Sequence, residues 1–353
     1  MGITKLADLV RFDAPDAISY KDISEYTGKV IALDTSIVVN QFRAVTPSLS
    51  PLIGLFFRTL TFLEHDIKPV YVFDGKPPVE KTAVLEKRAE AAGSTCKTLN
   101  TLCSSIFLLF LHLLHVFIFF IWQAPGDAEA LCAQLVRNGT VYAVASEDMD
   151  TLPFGANVVI RQLNAKTDSE ITEYSLPKLL EKLQISHEEL VDLCILLGCD
   201  YCDKIPGLGP KRALTLIQKH RTIENVVLHI NRKTHPVPQF WKYREARKVF
   251  LEAPQTSAPE LIWTEPDEEA LVGFLCGVTH VKEERVRRRL ERFHETQANK
   301  RENREKEKAA GCSKQTRIVD FFKVTRKREQ VSTKPSINIH DHNAEKTACL
   351  FMT

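Results

Sequence analysis

Val30-Ile31-Ala32-Leu33-Asp34 and Val70-Tyr71-Val72-Phe73-Asp74 are two short apolar runs, each closed by an acid. A run of this length, β-branched or aromatic and bounded by polar residues, reads as a buried strand of a parallel sheet. Two more runs follow the same pattern. One leads through Trp122 to Asp127 and Glu129, and the other, residues 141–145, comes just before Asp148 and Asp150. In open α/β sheets ligands bind beyond the carboxyl ends of the strands. Parallel strands would therefore gather these acids on one edge. Carboxylates repel one another, so such a cluster requires cations, and an oxygen donor set selects Mg²⁺ or Mn²⁺. The pattern implies metal-dependent phosphate chemistry.

Working outward, residues 36–43 are expected to open a helix. Residues 51–65 place Leu52, Leu55, Phe56, Leu60 and Leu63 at helical spacing. Residues 79–92 read as a charged helix, residues 126–138 and 187–197 as further helices, and residues 158–163 as another strand. Alternating strand and helix predicts an α/β fold with a central, mostly parallel sheet flanked by helices. From about residue 259 the pattern is helical and charged. From about residue 296 it is poor in apolar residues and reads as disordered. No internal repeat is visible. The chain divides into residues 1–90, an atypical segment 91–123, residues 124–290 and a tail 291–353.

With 353 residues, 44% hydrophobic and 26% charged, the chain can bury one large core or two. Its 47 basic and 45 acidic residues nearly cancel, giving a formal charge of +2. The distribution says more, because Lys and Arg outnumber acids across residues 285–328. A basic surface beside an acidic pocket suits a polyanion held around a metal site. Nine cysteines, an odd number, imply no disulfide framework and a reducing compartment. Cys199-x-x-Cys202 is half a zinc site with no second pair at zinc-finger spacing, and is read as buried thiols flanking Asp200. Met1-Gly2-Ile3-Thr4-Lys5 leads into charged amphipathic sequence, so no secretory signal is expected.

Residues 102–122 carry no charged side chain and are long enough to span a bilayer. A single span here would put Asp34 and Asp74 on one side of the membrane and Asp127, Asp148 and Asp200 on the other. His112 and His115 are also unfavourable near a bilayer centre. The preferred reading is a buried helix, residues 97–114, followed by a central strand, residues 116–123, with no membrane partner.

Three motifs carry chemistry. Asp127-x-Glu129 and Asp148-x-Asp150 are acid pairs that, singly, read as solvated acids at helix starts. Joined by Asp34, Asp74 and Asp200, they make seven acids at element ends, which suits a two-metal site. Next, Gly198 through Ala213 closes one helix, turns at Gly207-Leu208-Gly209 and starts another with Lys211 and Arg212. Backbone N–H groups exposed at such a turn bind phosphate, which predicts a helix–hairpin–helix grip on a DNA backbone without sequence readout. Last, Gln315-x-x-Ile318-x-x-Phe321-Phe322 sets three apolar anchors in a polar tail, a plug for a partner's pocket.

These stretches, with Met1-Gly2-Ile3, residues 70–78 (VYVFDGKPP), 124–130 (APGDAEA) and 146–150 (SEDMD), closely resemble the eukaryotic flap endonucleases of the structure-specific 5′-nuclease superfamily. The resemblance covers roughly residues 1–90 and 124–328. It implies that Asp34, Asp74, Asp127, Glu129, Asp148, Asp150 and Asp200 hold two Mg²⁺ ions, for which Mn²⁺ can substitute. These would hydrolyse a phosphodiester at the base of a 5′ flap, with 5′-3′ exonuclease activity as a further expectation. Lys81 and Arg88 match residues that steady the scissile phosphate. Gly2 matches a residue near the site, and Arg58 and Gly198 match positions that contact the DNA. The turn of Gly207, Gly209, Lys211 and Arg212 looks like the motif that grips the downstream duplex, with a K⁺ ion. Gln315, Ile318, Phe321 and Phe322 resemble the box that docks on the sliding clamp PCNA. Residues 323–328 resemble a nuclear localisation signal, so the nucleus is the expected compartment, with the mitochondrion as a second.

The chain departs from the family in three ways. The charged helical arch that threads the flap is replaced by the apolar segment 91–123. The loop after Phe42 is cut to residues 43–51. Asn40 stands where the family has a stacking Tyr, and Asp127 replaces a Glu, one methylene shorter. The alternative is therefore a catalytically impaired isoform or paralogue that still holds duplex DNA and PCNA. The placement of Asp127 and Glu129, fed by the atypical segment, decides between the two.

Overall fold

Ile31 and Leu33 pack into one apolar cluster and Ala32 into another, so the run Val30–Asp34 is buried on both faces, as its unbroken apolar character implies. The computed structural model describes residues 2–3, 5–35, 51–91, 120–163, 170–254, 256, 261 and 267–309. The helices expected at residues 36–43 and 97–114, the PCNA box at Gln315, Ile318, Phe321 and Phe322, and the basic run 323–328 lie outside these residues. The chain divides into two units, Met1–Lys300 and Arg301–Thr353.

Among the described residues, seven strands form one sheet: β1 (Ile18–Lys21), β2 (Val30–Asp34), β3 (Lys68–Phe73), β4 (Phe120–Gln123), β5 (Ala143–Ala145), β6 (Val158–Arg161) and β7 (Ile171–Ser175). Their order is β1-β7-β6-β5-β2-β3-β4. Pairing is parallel from β6 through β5, β2 and β3 to β4, and antiparallel where β7 meets β6 and β1. The mostly parallel sheet matches the expectation, and the antiparallel end is an addition to it. The strand that emerges from the atypical segment is corrected in position. It is the edge strand β4, half-buried and paired with β3 from Val70↔Phe120 to Phe73↔Gln123, rather than a central one.

Helices cover both faces. Among the described residues the helices are α1 (Leu6–Asp13), α2 (Pro51–Glu64), α3 (Thr82–Ala91), α4 (Ala128–Arg137), α5 (Leu176–Leu183), α6 (His187–Leu197), α7 (Pro210–His220), α8 (Ile223–His229), α9 (Tyr243–Leu251), α10 (Glu268–Thr279) and α11 (Glu283–Ala309). On one face, Leu131 and Leu135 of α4 join Ala32, Val70, Val72 and Val144. On the other, Leu55 and Leu60 of α2, Leu275 of α10 and Leu290 of α11 join Ile31, Leu33, Tyr71 and Phe73. Period-two alternation along β2 and β3 thus splits their side chains between two cores. The charged helix expected at residues 79–92 is a 3₁₀ turn, Val79–Lys81, followed by α3.

The tail expected from residue 291 is corrected as well, because α11 continues to Ala309. Its start is anchored. Val286, Leu290 and Phe293 are buried, Arg289 pairs with Glu64, and Gln297 donates to the Leu63 carbonyl at 2.8 Å. Pairs one helical turn apart, Arg287–Glu283 and Lys306–Glu302, support the polar turns. No helix among the described residues is long and apolar enough to cross a membrane.

Candidate metal centre and nucleic-acid turn

Four of the five parallel strands deliver acids to the same edge. β2 ends on Asp34, β3 leads into Asp74, β4 leads into Asp127 and Glu129, and β5 leads into Asp148 and Asp150. Asp127 is the N-cap of α4 and Glu129 lies in its first turn. Carboxylate oxygens of Glu129, Asp148 and Asp150 lie within 4.8 Å of one another, and all three residues are buried. Among the described residues, Glu129 Oε2 and Asp148 Oδ1 are buried without a hydrogen-bond donor. A buried carboxylate oxygen left without a donor is costly unless a cation is to meet it. The cluster fits a divalent cation by donor type, by convergence and by these two oxygens.

Protonation tells the same story. Burial, and then the charges of Asp150, Asp34 and Asp148, push Glu129 well above the usual carboxylate range, against the pull of Lys81. Burial, and then Asp148 and Asp200, push Asp150 well up, although the Ile3 N–H donates to its Oδ1 at 2.7 Å. Burial and mutual repulsion thus disfavour the charged forms of Glu129 and Asp150, and a bound cation would favour them.

The surrounding residues hold the acids in place. Ser146 Oγ donates to Asp34 Oδ2 at 3.3 Å and accepts from the Asp148 N–H at 3.1 Å. The Ala128 N–H donates to Asp74 Oδ1 at 2.8 Å. Gly75 must be glycine, because a Cβ there would lie 1.8 Å from the Ala124 carbonyl oxygen. That approach is closed by the Gly75 N–H donating to the Gly126 carbonyl at 2.8 Å, which ties the β3 exit to the α4 entry. Gly2 has φ +80°, and a Cβ on it would lie 1.5 Å from Asp148 Oδ1 and 2.4 Å from Asp150 Oδ1.

Asp127 sits between two donors. Tyr201 Oη donates to its Oδ2 at 2.6 Å and Lys81 Nζ lies 3.1 Å from its Oδ1. Burial alone would lower the Lys81 pKa, but Glu129, Asp127 and Asp74 outweigh it and raise it, so the ammonium stays charged. Arg88 of α3 donates to Asp200 Oδ1 at 2.7 Å. The structure therefore brings Lys81, Arg88, Gly2 and the strand-end acids to one edge. Arg58 is elsewhere. It is on α2, half-buried, its Nη2 donating to the Leu163 carbonyl at 2.6 Å and its guanidinium 5.4 Å from the Phe62 ring.

Beyond Asp200 lies the turn. Gly198 caps α6 at φ +107°, Gly207 has φ +74°, and Gly209 is the N-cap of α7, with Lys211 and Arg212 exposed in its first turn. Buried His235 fastens it. Its Nδ1 lies 3.2 Å from the Pro206 carbonyl and its Nε2 2.7 Å from Arg212 Nη1. A carbonyl only accepts, which assigns the proton to Nδ1 and makes Nε2 the acceptor for Arg212. Arg247 reinforces the helices behind, with two bonds to Asp192 at 2.7 and 2.8 Å and two to Glu224 at 3.0 Å.

Ser146, Tyr201 and His235 are the positioning residues that sequence reading missed. Ser146 and Tyr201 stand inside quoted motifs, next to named acids. His235 carried no signal beyond a lone histidine after a basic stretch.

Residues 1–95 match the XPG N-terminal domain family and residues 119–200 the XPG I-region family. The chain is 61% identical over 336 residues to a probable flap endonuclease 1 homolog of Danio rerio, covering 94% of this chain and 96% of that one. It is 39% identical over 368 residues to flap endonuclease 1 of Homo sapiens, covering 92% and 91%. Among solved structures, flap endonuclease-1 from Methanococcus jannaschii superposes with a TM-score of 0.63 at 25% identity, covering 83% of this chain and 99% of that one. Human GEN1 in complex with Holliday junction DNA superposes at 0.66 with 26% identity, covering 81% and 76%.

Proposed function

The chain belongs to the flap endonuclease family of structure-specific DNA nucleases, and we propose that it cuts the phosphodiester at the base of a 5′ flap using two Mg²⁺ ions. The family is metal-dependent and acts on DNA in replication and repair. The observation that carries the proposal is the buried convergence of Glu129, Asp148 and Asp150, with Glu129 Oε2 and Asp148 Oδ1 lacking any donor among the described residues. Asp34, Asp74, Asp127 and Asp200 stand around these three and would complete a two-ion set, with Mn²⁺ as a competent substitute. Bound there, a pair of divalent ions supplies a nucleophilic water at neutral pH and stabilises the leaving oxygen.

The chain's own residues do the rest. Lys81 holds a positive charge beside Asp127 and faces the phosphate that must enter the cluster. Arg88, exchanging Asp200 for a phosphate oxygen, offers a second cation to the same group. Tyr201 and Ser146 keep their acids in fixed rotamers, so the site needs little rearrangement when substrate arrives. Gly2 leaves the space over Asp148 and Asp150 that any side chain would fill.

Duplex binding is assigned to the turn of Gly207, Gly209, Lys211 and Arg212, with Gly198 at its approach, Arg58 as a further contact and K⁺ as its ion. The grip is on phosphates and therefore independent of sequence. Gln315, Ile318, Phe321 and Phe322 are proposed to dock on PCNA, and the enzyme to work in the nucleus. The test is Mg²⁺-dependent incision of an end-labelled 5′-flap duplex, with Asp148→Ala as the blank. Incision by the wild type alone is expected. Equal signal from both would leave a DNA-binding protein and remove the enzyme.

A further inference from the structure

We infer that Cys199 and Cys202 form a thiol-oxidation site, in which a peroxide closes a disulfide across the turn that carries Asp200 and Tyr201. The two sulfurs lie 3.8 Å apart, and both residues are half-buried. Cys199 and Cys202 also pair as an antiparallel bridge, so Asp200 and Tyr201 are the two residues at the tip of a tight hairpin. By contrast, Cys132 and Cys194 are buried.

The chemistry balances with a peroxide as oxidant. With hydrogen peroxide, one thiol gives up its proton and its thiolate attacks a peroxide oxygen. The O–O bond breaks and the leaving hydroxide takes that proton, so a sulfenic acid and one water result. The second sulfur then displaces the sulfenic oxygen as a second water, forming the S–S bond. The protein loses two protons and two electrons, and the peroxide takes them up.

The consequence follows from what the hairpin tip holds. A disulfide needs a sulfur separation of about 2.05 Å, so the two sulfurs must close by roughly 1.8 Å. Asp200 is held by Arg88 at 2.7 Å and Tyr201 holds Asp127 at 2.6 Å. A covalent clamp across the base of the hairpin acts directly on the two residues that make these contacts. Oxidation would therefore disturb two acids of the metal set at once, without touching the buried three. A structural zinc half-site is the rival use of the same pair, and it lacks two further ligands among the described residues.

The test uses the full chain, purified reduced and then exposed to hydrogen peroxide. Peptide mass mapping is expected to show one disulfide between Cys199 and Cys202, reversed by dithiothreitol. The oxidised protein is expected to lose thermal stabilisation by Mg²⁺ and roughly tenfold or more of its incision rate. Cys202→Ser, and separately Cys199→Ala, should keep both through the peroxide step. Either of three results overturns the inference: sulfurs that stay reduced or over-oxidise singly, a disulfide with no change in Mg²⁺ stabilisation, or one tightly bound zinc that protects the pair. The incision arm rests on the proposed nuclease activity and the mapping arm does not. A reduced protein that cuts nothing would fail that activity and leave the disulfide result standing.

Discussion

Lys81 Nζ lies 3.1 Å from Asp127 Oδ1, with the lysine side chain 13% and the aspartate side chain 4% exposed. The pair links the 3₁₀ turn before α3 to the N-cap of α4, which is the entry from the atypical segment. A cation this buried persists because three carboxylates surround it. Facing the cluster, it is suited to charge that develops on a phosphate. We expect Lys81→Ala to lower the single-turnover incision rate by about 10²–10³ with little change in melting temperature. A rate within a few-fold of wild type would make Lys81 purely structural.

Gly2 is the next point of leverage. Alanine there would be strained at φ +80° and its Cβ would collide with Asp148. Calorimetric binding of Ca²⁺, a non-turnover probe, should weaken roughly 10–100-fold in Gly2→Ala. Unchanged affinity would show that the segment moves aside.

The raised carboxylates set a pH dependence with a definite sign. Glu129 and Asp150 keep their protons in the metal-free folded state at pH values where the unfolded chain has released them. Their contribution to stability is full below the ordinary carboxylate pKa of about 4 and is lost as pH rises toward the folded values. Asp150→Asn should therefore raise the metal-free melting temperature, by about 2–4 °C per kcal/mol recovered, more at pH 8 than at pH 5. Saturating Mg²⁺ should reverse the ranking. A gap that does not change with pH would place the strain elsewhere.

His235 holds the turn by both ring nitrogens. His235→Ala should weaken binding to a plain duplex several-fold while leaving the incision rate at saturating DNA near wild type. A fall in the saturated rate with unchanged affinity would contradict the division of labour between turn and cluster.

The proposed tail box is expected to separate docking from cutting. Phe321→Ala with Phe322→Ala should abolish PCNA binding in a pull-down and leave incision of naked DNA unchanged. Loss of both would mean the box is misassigned.

The strand-end acids were legible because two signals coincide in them. An unbroken apolar run such as residues 30–33 marks a doubly covered strand, and the acid that follows marks its carboxyl end. β1 and β7 carried no such signal. Ile18–Lys21 and Ile171–Ser175 are short and mix polar with apolar residues, and β1 pairs only with β7, about 150 residues away in sequence. The start of α11 was legible as a charged helix, but its second half was misread from composition, since it continues from a docked first half that hydropathy averages away. The Tyr201 bond to Asp127 spans 74 residues and is a product of tertiary packing, invisible to spacing. β4 pairs with β3 in register, Glu129 lies with Asp148 and Asp150, and Asp127 caps α4 between Tyr201 and Lys81.

The most direct measurement is single-turnover cutting of a 5′-flap duplex labelled on the flap strand, across a Mg²⁺ titration, for wild type and Asp148→Ala. We expect one main product, cut at the flap junction, that rises with Mg²⁺ for the wild type and is absent for Asp148→Ala. Wild type that binds the duplex and leaves the flap uncut at saturating Mg²⁺ would contradict the assignment of the acidic edge as a working nuclease site.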